Sequence, residues 1–175
     1  MNQTILSNYE ITSQTMALLS VAHLDYCTIA LEPSQEFYIN KPPLQLIKQA
    51  CLEGGSTYEG RKKAVVHLTG AKHKVPIPIN QLEQIYAFPT HSPNQFECSW
   101  IFHQHIRSIT PLKTPKEPQQ TMITFHNMKQ LKLPVSYYSI EKQMQRTASC
   151  IIRFSHNYFE RPPILPKPTS TIHSY

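Results

Sequence analysis

Fifteen prolines stand against four glycines in this chain of 175 residues. Proline fixes φ and removes a backbone donor, so it breaks helix interiors and is kept out of central strands. A long all-helical bundle is therefore excluded. Short strands, defined turns and a few helices fit. All four glycines, Gly54, Gly55, Gly60 and Gly70, fall within one stretch, GGSTYEGRKKAVVHLTG. Glycine takes up backbone conformations that other residues resist, so this stretch must hold the sharpest changes of chain direction.

The same stretch opens the densest positive charge. Residues 1–59 carry two basic and six acidic groups, whereas residues 60–82 carry five basic groups and no acidic one. The remaining residues carry ten basic and five acidic groups, bringing the total to +6. An excess concentrated in one part of a chain points to a polyanion partner, nucleic acid first and an anionic membrane surface second. No apolar run reaches the roughly 20 residues of a membrane span, and the N-terminus has no signal-peptide pattern. Cys27, Cys51, Cys98 and Cys150 form no CxxC pair and read as reduced, buried thiols of a cytoplasmic protein. Length and a hydrophobic content of 40% predict one domain over 1–158, its N-terminal 1–36 least defined. A disordered Pro-rich tail is expected over 159–175.

Periodicity predicts an α+β fold with a mostly antiparallel, curved sheet. A helix is expected near 42–53, where Leu44, Ile47 and Cys51 share one face behind Asn40 as cap. A closing helix is expected near 137–154, where Ile140, Met144 and Ile151 recur behind Ser136 or Ser139. Strands are expected over 8–16, 27–31, 37–39, 61–68, 84–88 and 98–109, with 75–79 extended but confined by its prolines to an edge. A loop follows over 111–120, then a hairpin turning near His126–Met128.

Which chemistry can these residues carry? His103 and His105 would share a strand face and could chelate a metal, which would make a metal-dependent enzyme. No second ligand pair stands at recognisable spacing, and there is neither a GxSxG nucleophile motif nor a Walker-type loop. The sequence thus predicts no enzyme, no metal and no cofactor. The basic set is more informative. Arg61, Lys62, Lys63, Lys72, His73 and Lys74 bracket what reads as a hairpin-like turn at Gly70. Arg and Lys neutralise phosphates, and a glycine turn permits close approach to them.

The ordered blocks FYINKPPLQLIKQAC, GSTYEGRKKA, HKVPIPI, FPT, CSWIFHQHI and TFHNMKQLKLPVSYYSIEKQMQRTA resemble the ComK family of competence transcription factors. The resemblance covers about residues 37–154. It implies a DNA-binding activator of genes for DNA uptake, recognising paired A/T-rich boxes mainly through the minor groove. It further implies self-association on DNA, a cytoplasmic, nucleoid-associated location, and delivery by an adaptor protein to an ATP-dependent protease. Arg61 and Lys62 are expected near the minor groove, with Lys63, Lys72, Lys74 and Arg146 on phosphates and His73 among the DNA-binding residues; Lys63 and Lys72 are nominated by charge alone. Two departures stand out: Asn127-Met128 where relatives often have Asn-Gly, and a short Pro-rich tail in place of a charged one. The alternative is a regulatory protein-interaction homologue without DNA binding.

Overall fold

The computed structural model describes residues 4–113 and 119–159. Four short strands come first: β1 (Ile5–Leu6), β2 (Ala17–Ser20), β3 (Thr28–Leu31) and β4 (Glu36–Ile39). Helices α1 (Pro43–Glu53) and α2 (Tyr58–Thr69) follow, then β5 (Ile77–Asn80), β6 (Ile85–Pro89) and β7 (Trp100–Phe102). A 3₁₀ turn, His103–His105, leads into β8 (Ile106–Leu112), β9 (Gln120–Phe125) and β10 (Gln130–Leu133), and α3 (Tyr137–Phe159) closes the chain's described part.

The fold is α+β, as expected. Strands β1 to β7 form an open seven-stranded sheet in the order β1-β4-β3-β2-β7-β6-β5, and β8 to β10 form a separate three-stranded sheet. Every pairing is antiparallel except β1 with β4. Pro43 opens α1 and Pro78 lies in β5 at the sheet's edge, whereas Pro89 is accommodated at the last position of the inner strand β6. One core, centred on Trp100, Phe102, Leu18 and Ile39, receives Leu46, Ile47 and Cys51 of α1. A second core joins the two sheets: Ile101 and Phe88 of the large sheet meet Ile123, Phe125 and Leu133 of the small one, with Ile140 of α3 completing it. Val65 of α2, Val75, Tyr86 and Cys150 of α3 form a third cluster, which packs the two helices beside β6. Burial pushes the Cys150 thiol up to about 12 and the Cys51 thiol up to about 11, so both are inert at neutral pH.

Several local expectations are corrected. Residues 61–68 are not a strand but the body of α2, because Thr57 caps a helix here: its Oγ1 accepts from Gly60 N–H at 3.0 Å. Gly70, at φ 72°, ends that helix in the left-handed conformation and is no hairpin turn. Residues 98–109 are not one strand; the 3₁₀ turn breaks them into β7 of one sheet and β8 of the other. Residues 8–16 form no strand, and Thr15 N–H bonds back to the Thr12 carbonyl in a turn. Asn40 does not cap α1; Pro42 holds that position without a side-chain bond. The expected loop over 111–120 shrinks at both ends as β8 and β9 extend into it, and the tail expected over 159–175 lies from residue 160 onward outside the described residues.

Candidate nucleic-acid interface

Two helices and the segment joining α2 to β5 bring most of the basic candidates to one side of the molecule. Helix α3 forms because Ser136 caps it, its Oγ accepting from Ser139 N–H at 3.3 Å, and because Ile140, Gln143, Thr147 and Cys150 give it a continuous buried face. Lys142 and Arg146 sit one turn apart beside that face. Helix α2 ends at Gly70, and the chain then runs along α3. A concave groove of about 530 Å³ results, lined by Lys72 and His73 from the connecting segment and by Lys142 and Arg146 from α3. Thr69 and Gly70 close its α2 side.

Hydrogen bonds from α3 hold the groove's wall. Gln143 is 2% exposed, and its amide N–H groups donate to the Lys74 carbonyl at 2.9 Å and the Pro89 carbonyl at 2.7 Å. Its Oε1 accepts from Arg146 Nη1 at 3.1 Å, and the same Nη1 donates to the His73 carbonyl at 3.2 Å. Lys74 is held at φ 48°, the left-handed region where a non-glycine residue is strained. The two residues from α3 therefore grip successive carbonyls of the 73–74 segment and fix its course. No described carboxylate forms an ion pair with Lys72, Lys74, Lys142 or Arg146. The nearby hydroxyl of exposed Tyr138 accepts from Lys142 Nζ at 3.0 Å, and that ammonium holds the phenol below its usual range.

The remaining candidates divide. Lys62 and Lys63 lie on α2, seven residues before groove-lining Thr69 and Gly70 respectively. A seven-residue offset returns to the same helix face about 10 Å along the axis. They thus extend the groove's cationic line, Lys63 exposed and Lys62 half-buried. Arg61 is elsewhere. It is 9% exposed, and its guanidinium donates to the Gly54 carbonyl at 2.8 Å and the Pro78 carbonyl at 2.8 Å, with Nε unpartnered. A Cβ on Gly54 would come within 2.6 Å of that guanidinium, which explains why glycine stands there. The side chain ties the end of α1 to β5 and faces no groove.

His103 and His105 occupy the 3₁₀ turn, so they do not share a strand face. His105 Nε2 is 2.8 Å from the Ser13 carbonyl, and no group of three potential metal ligands exists among the described residues. No helix among them is long and apolar enough to cross a membrane. Lys142 and Gln143 are the members that sequence reasoning left without a role at the site. The signals were present: Lys142 precedes Arg146 by one turn, and Gln143 interrupts an apolar face at helical spacing.

Comparison with known proteins matches residues 6–158 to the family model described as ComK protein. The match takes in residues 6–36, which the motif blocks did not reach. The chain is also 36% identical over 160 residues to the competence transcription factor of Bacillus subtilis (strain 168), covering 90% of this chain and 81% of that protein. No solved structure matches the chain.

Proposed function

The chain belongs to the ComK protein family, and from that premise we propose that it is a DNA-binding transcriptional activator of competence genes that recognises paired A/T-rich boxes mainly through the minor groove. The observation that carries the reading is the groove between α2 and α3, where Lys72, His73, Lys142 and Arg146 converge without a partner carboxylate among the described residues. With Lys62 and Lys63 it makes a cationic line suited to a phosphate backbone. Arg and Lys there would release counterions from the duplex and supply the bulk of the affinity. Sequence preference would come from the narrow, strongly negative minor groove of A/T tracts, which attracts cationic side chains. Self-association on the two boxes, a cytoplasmic, nucleoid-associated location, and capture by a protease adaptor belong to the same reading.

The test is a gel-shift titration at two salt concentrations, with one duplex carrying two phased A/T-rich boxes and another carrying a G/C scramble. Tight binding to the first, relieved by a minor-groove competitor, is the expected result. Lys72→Ala and Lys142→Ala should weaken both duplexes alike and reduce the salt slope by about 0.9 for each phosphate left without its cation. Weak, equal binding to both duplexes by the unaltered protein would reject the reading and favour a protein-interaction role.

A further inference from the structure

The three-stranded sheet has one face packed into the core and one that nothing in the described chain covers. The register defines the open face. Thr124 of central β9 stands opposite Ser108 of β8 and Gln130 of β10; Met122 stands opposite Thr110 and Lys132; Gln120 stands opposite Leu112. Ser108, Thr110, Gln130 and Lys132 are exposed. Hydroxyls and amides dominate this face, and both donate and accept hydrogen bonds.

Charge sets this sheet apart from an ordinary solvated surface. Arg107 on β8, Lys113 just after it and Lys132 on β10 flank the open face, and Lys129 precedes β10 with its Nζ donating to the Glu32 carbonyl at 3.3 Å; the acidic residue of this stretch, Glu117, lies outside the described residues. Charged side chains on edge strands also protect against edge-to-edge pairing. Lysine is favoured for that purpose, and a face whose described flanking charges are all positive suits a polyanion as well. At the end of the β9–β10 turn, Met128 is 61% exposed at φ 68°, a position where glycine would be free of strain, and its sulfur receives Arg107 Nη1 at 2.9 Å. An exposed apolar side chain is thus kept beside a guanidinium despite a backbone cost.

We propose that the open face of the β8–β9–β10 sheet is a second DNA-contacting surface, separate from the α2–α3 groove. It rests on the DNA-binding reading above and assigns the sheet a distinct share of it. The hydroxyl and amide ladder would contact phosphate, sugar or base edges, as sheets do when they lie in a groove, and the cations around it would neutralise the backbone. Met128, at the tip, has the chemistry of an apolar wedge.

The experiment measures duplex affinity of the full chain and its variants at fixed salt. Ser108→Glu and Thr110→Glu each place a carboxylate on the open face. Leu82→Glu, at a side chain 76% exposed between β5 and β6 of the other sheet, adds the same charge elsewhere. Both face variants should lose affinity by roughly fivefold or more with unchanged melting temperature, and the control should stay within about twofold. Should a carboxylate disturb the strands, Thr110→Lys gives the opposite readout, tighter binding with a steeper salt slope. If the unaltered protein binds DNA and these face variants all bind as it does, the sheet assignment is overturned while the groove reading stands. If the unaltered protein binds no duplex, both fall.

Discussion

Arg61 and Gln143 are polar, nearly buried, and bonded to backbone carbonyls, yet their expected effects differ. Arg61 holds Gly54 and Pro78 together and does not line the groove. Charge-assisted bonds to buried carbonyls contribute about 1.5–3 kcal/mol each, so Arg61→Ala should destabilise the fold by several kcal/mol in urea unfolding. The fraction that folds should bind DNA with unaltered affinity; a folded Arg61→Ala protein with lost A/T preference would return this residue to the groove. Gln143 has the opposite profile. Gln143→Leu keeps the volume but leaves the Lys74 and Pro89 carbonyls without their donor and frees Arg146. A stability loss of about 1–3 kcal/mol is expected from the orphaned buried groups. Binding of the folded variant should also weaken, with a shallower salt slope, because Arg146 and the 73–74 segment lose their fixed positions. Weakened stability with an intact salt slope would confine Gln143 to packing.

At the level of elements, α1 and α3 were legible because their apolar residues recur at helical spacing and their neighbours are ordinary. Helix α2 was not. Its buried positions are Tyr58, Arg61 and Val65, and an arginine in the middle of that series hides the period. With Arg61 counted as surface, Val65-Val66 behind three cations reads as a strand. Counting Arg61 as surface also placed it among the DNA-contacting candidates, since a charged residue is expected outside, whereas its guanidinium is tied to the Gly54 and Pro78 carbonyls. The break at His103–His105 was hidden for another reason: alternation continues through the turn, and only tertiary pairing decides that β7 and β8 join different sheets. Lys62, Lys63, Lys72 and His73 of the proposed line stand out in the sequence by charge; the part supplied by Lys142 depends on how α3 packs. If caps rather than propensity make α2 a helix, removing them has a measurable cost. Thr57→Ala should lower stability by about 1 kcal/mol. Gly70→Ala should cost a similar amount, roughly 1–2 kcal/mol, for a side chain forced to φ 72°. Thermal melts followed by circular dichroism report both, and unchanged melts would mean that packing against α3 alone sustains the helix.

For the molecule as a whole, the joint between the two sheets is also where pH acts on stability. His103 and His105 form the turn that passes from one sheet to the other, and His91 feels the charge of Lys74. Burial holds all three below the ordinary histidine value of 6.5, helped by the Lys74 charge at His91 and by neighbouring His126 at His105. Glu97 acts the other way on His91, and the Ser13 carbonyl on His105, without reversing either shift. A histidine whose folded value is depressed takes up its proton more readily in the unfolded chain. Its contribution is therefore complete above 6.5 and is lost as pH falls from there toward the folded value. The melting temperature should be highest at and above neutral pH and decline below about 6.5. Burial is the sole cause at His103, so His103→Gln is the cleanest probe: it should flatten part of the decline between pH 7.5 and 5.5 by roughly one histidine's share. A variant whose melting temperature falls as steeply as that of the unaltered protein would show that the turn tolerates the proton at His103, and would move the pH sensitivity to His105 and His91.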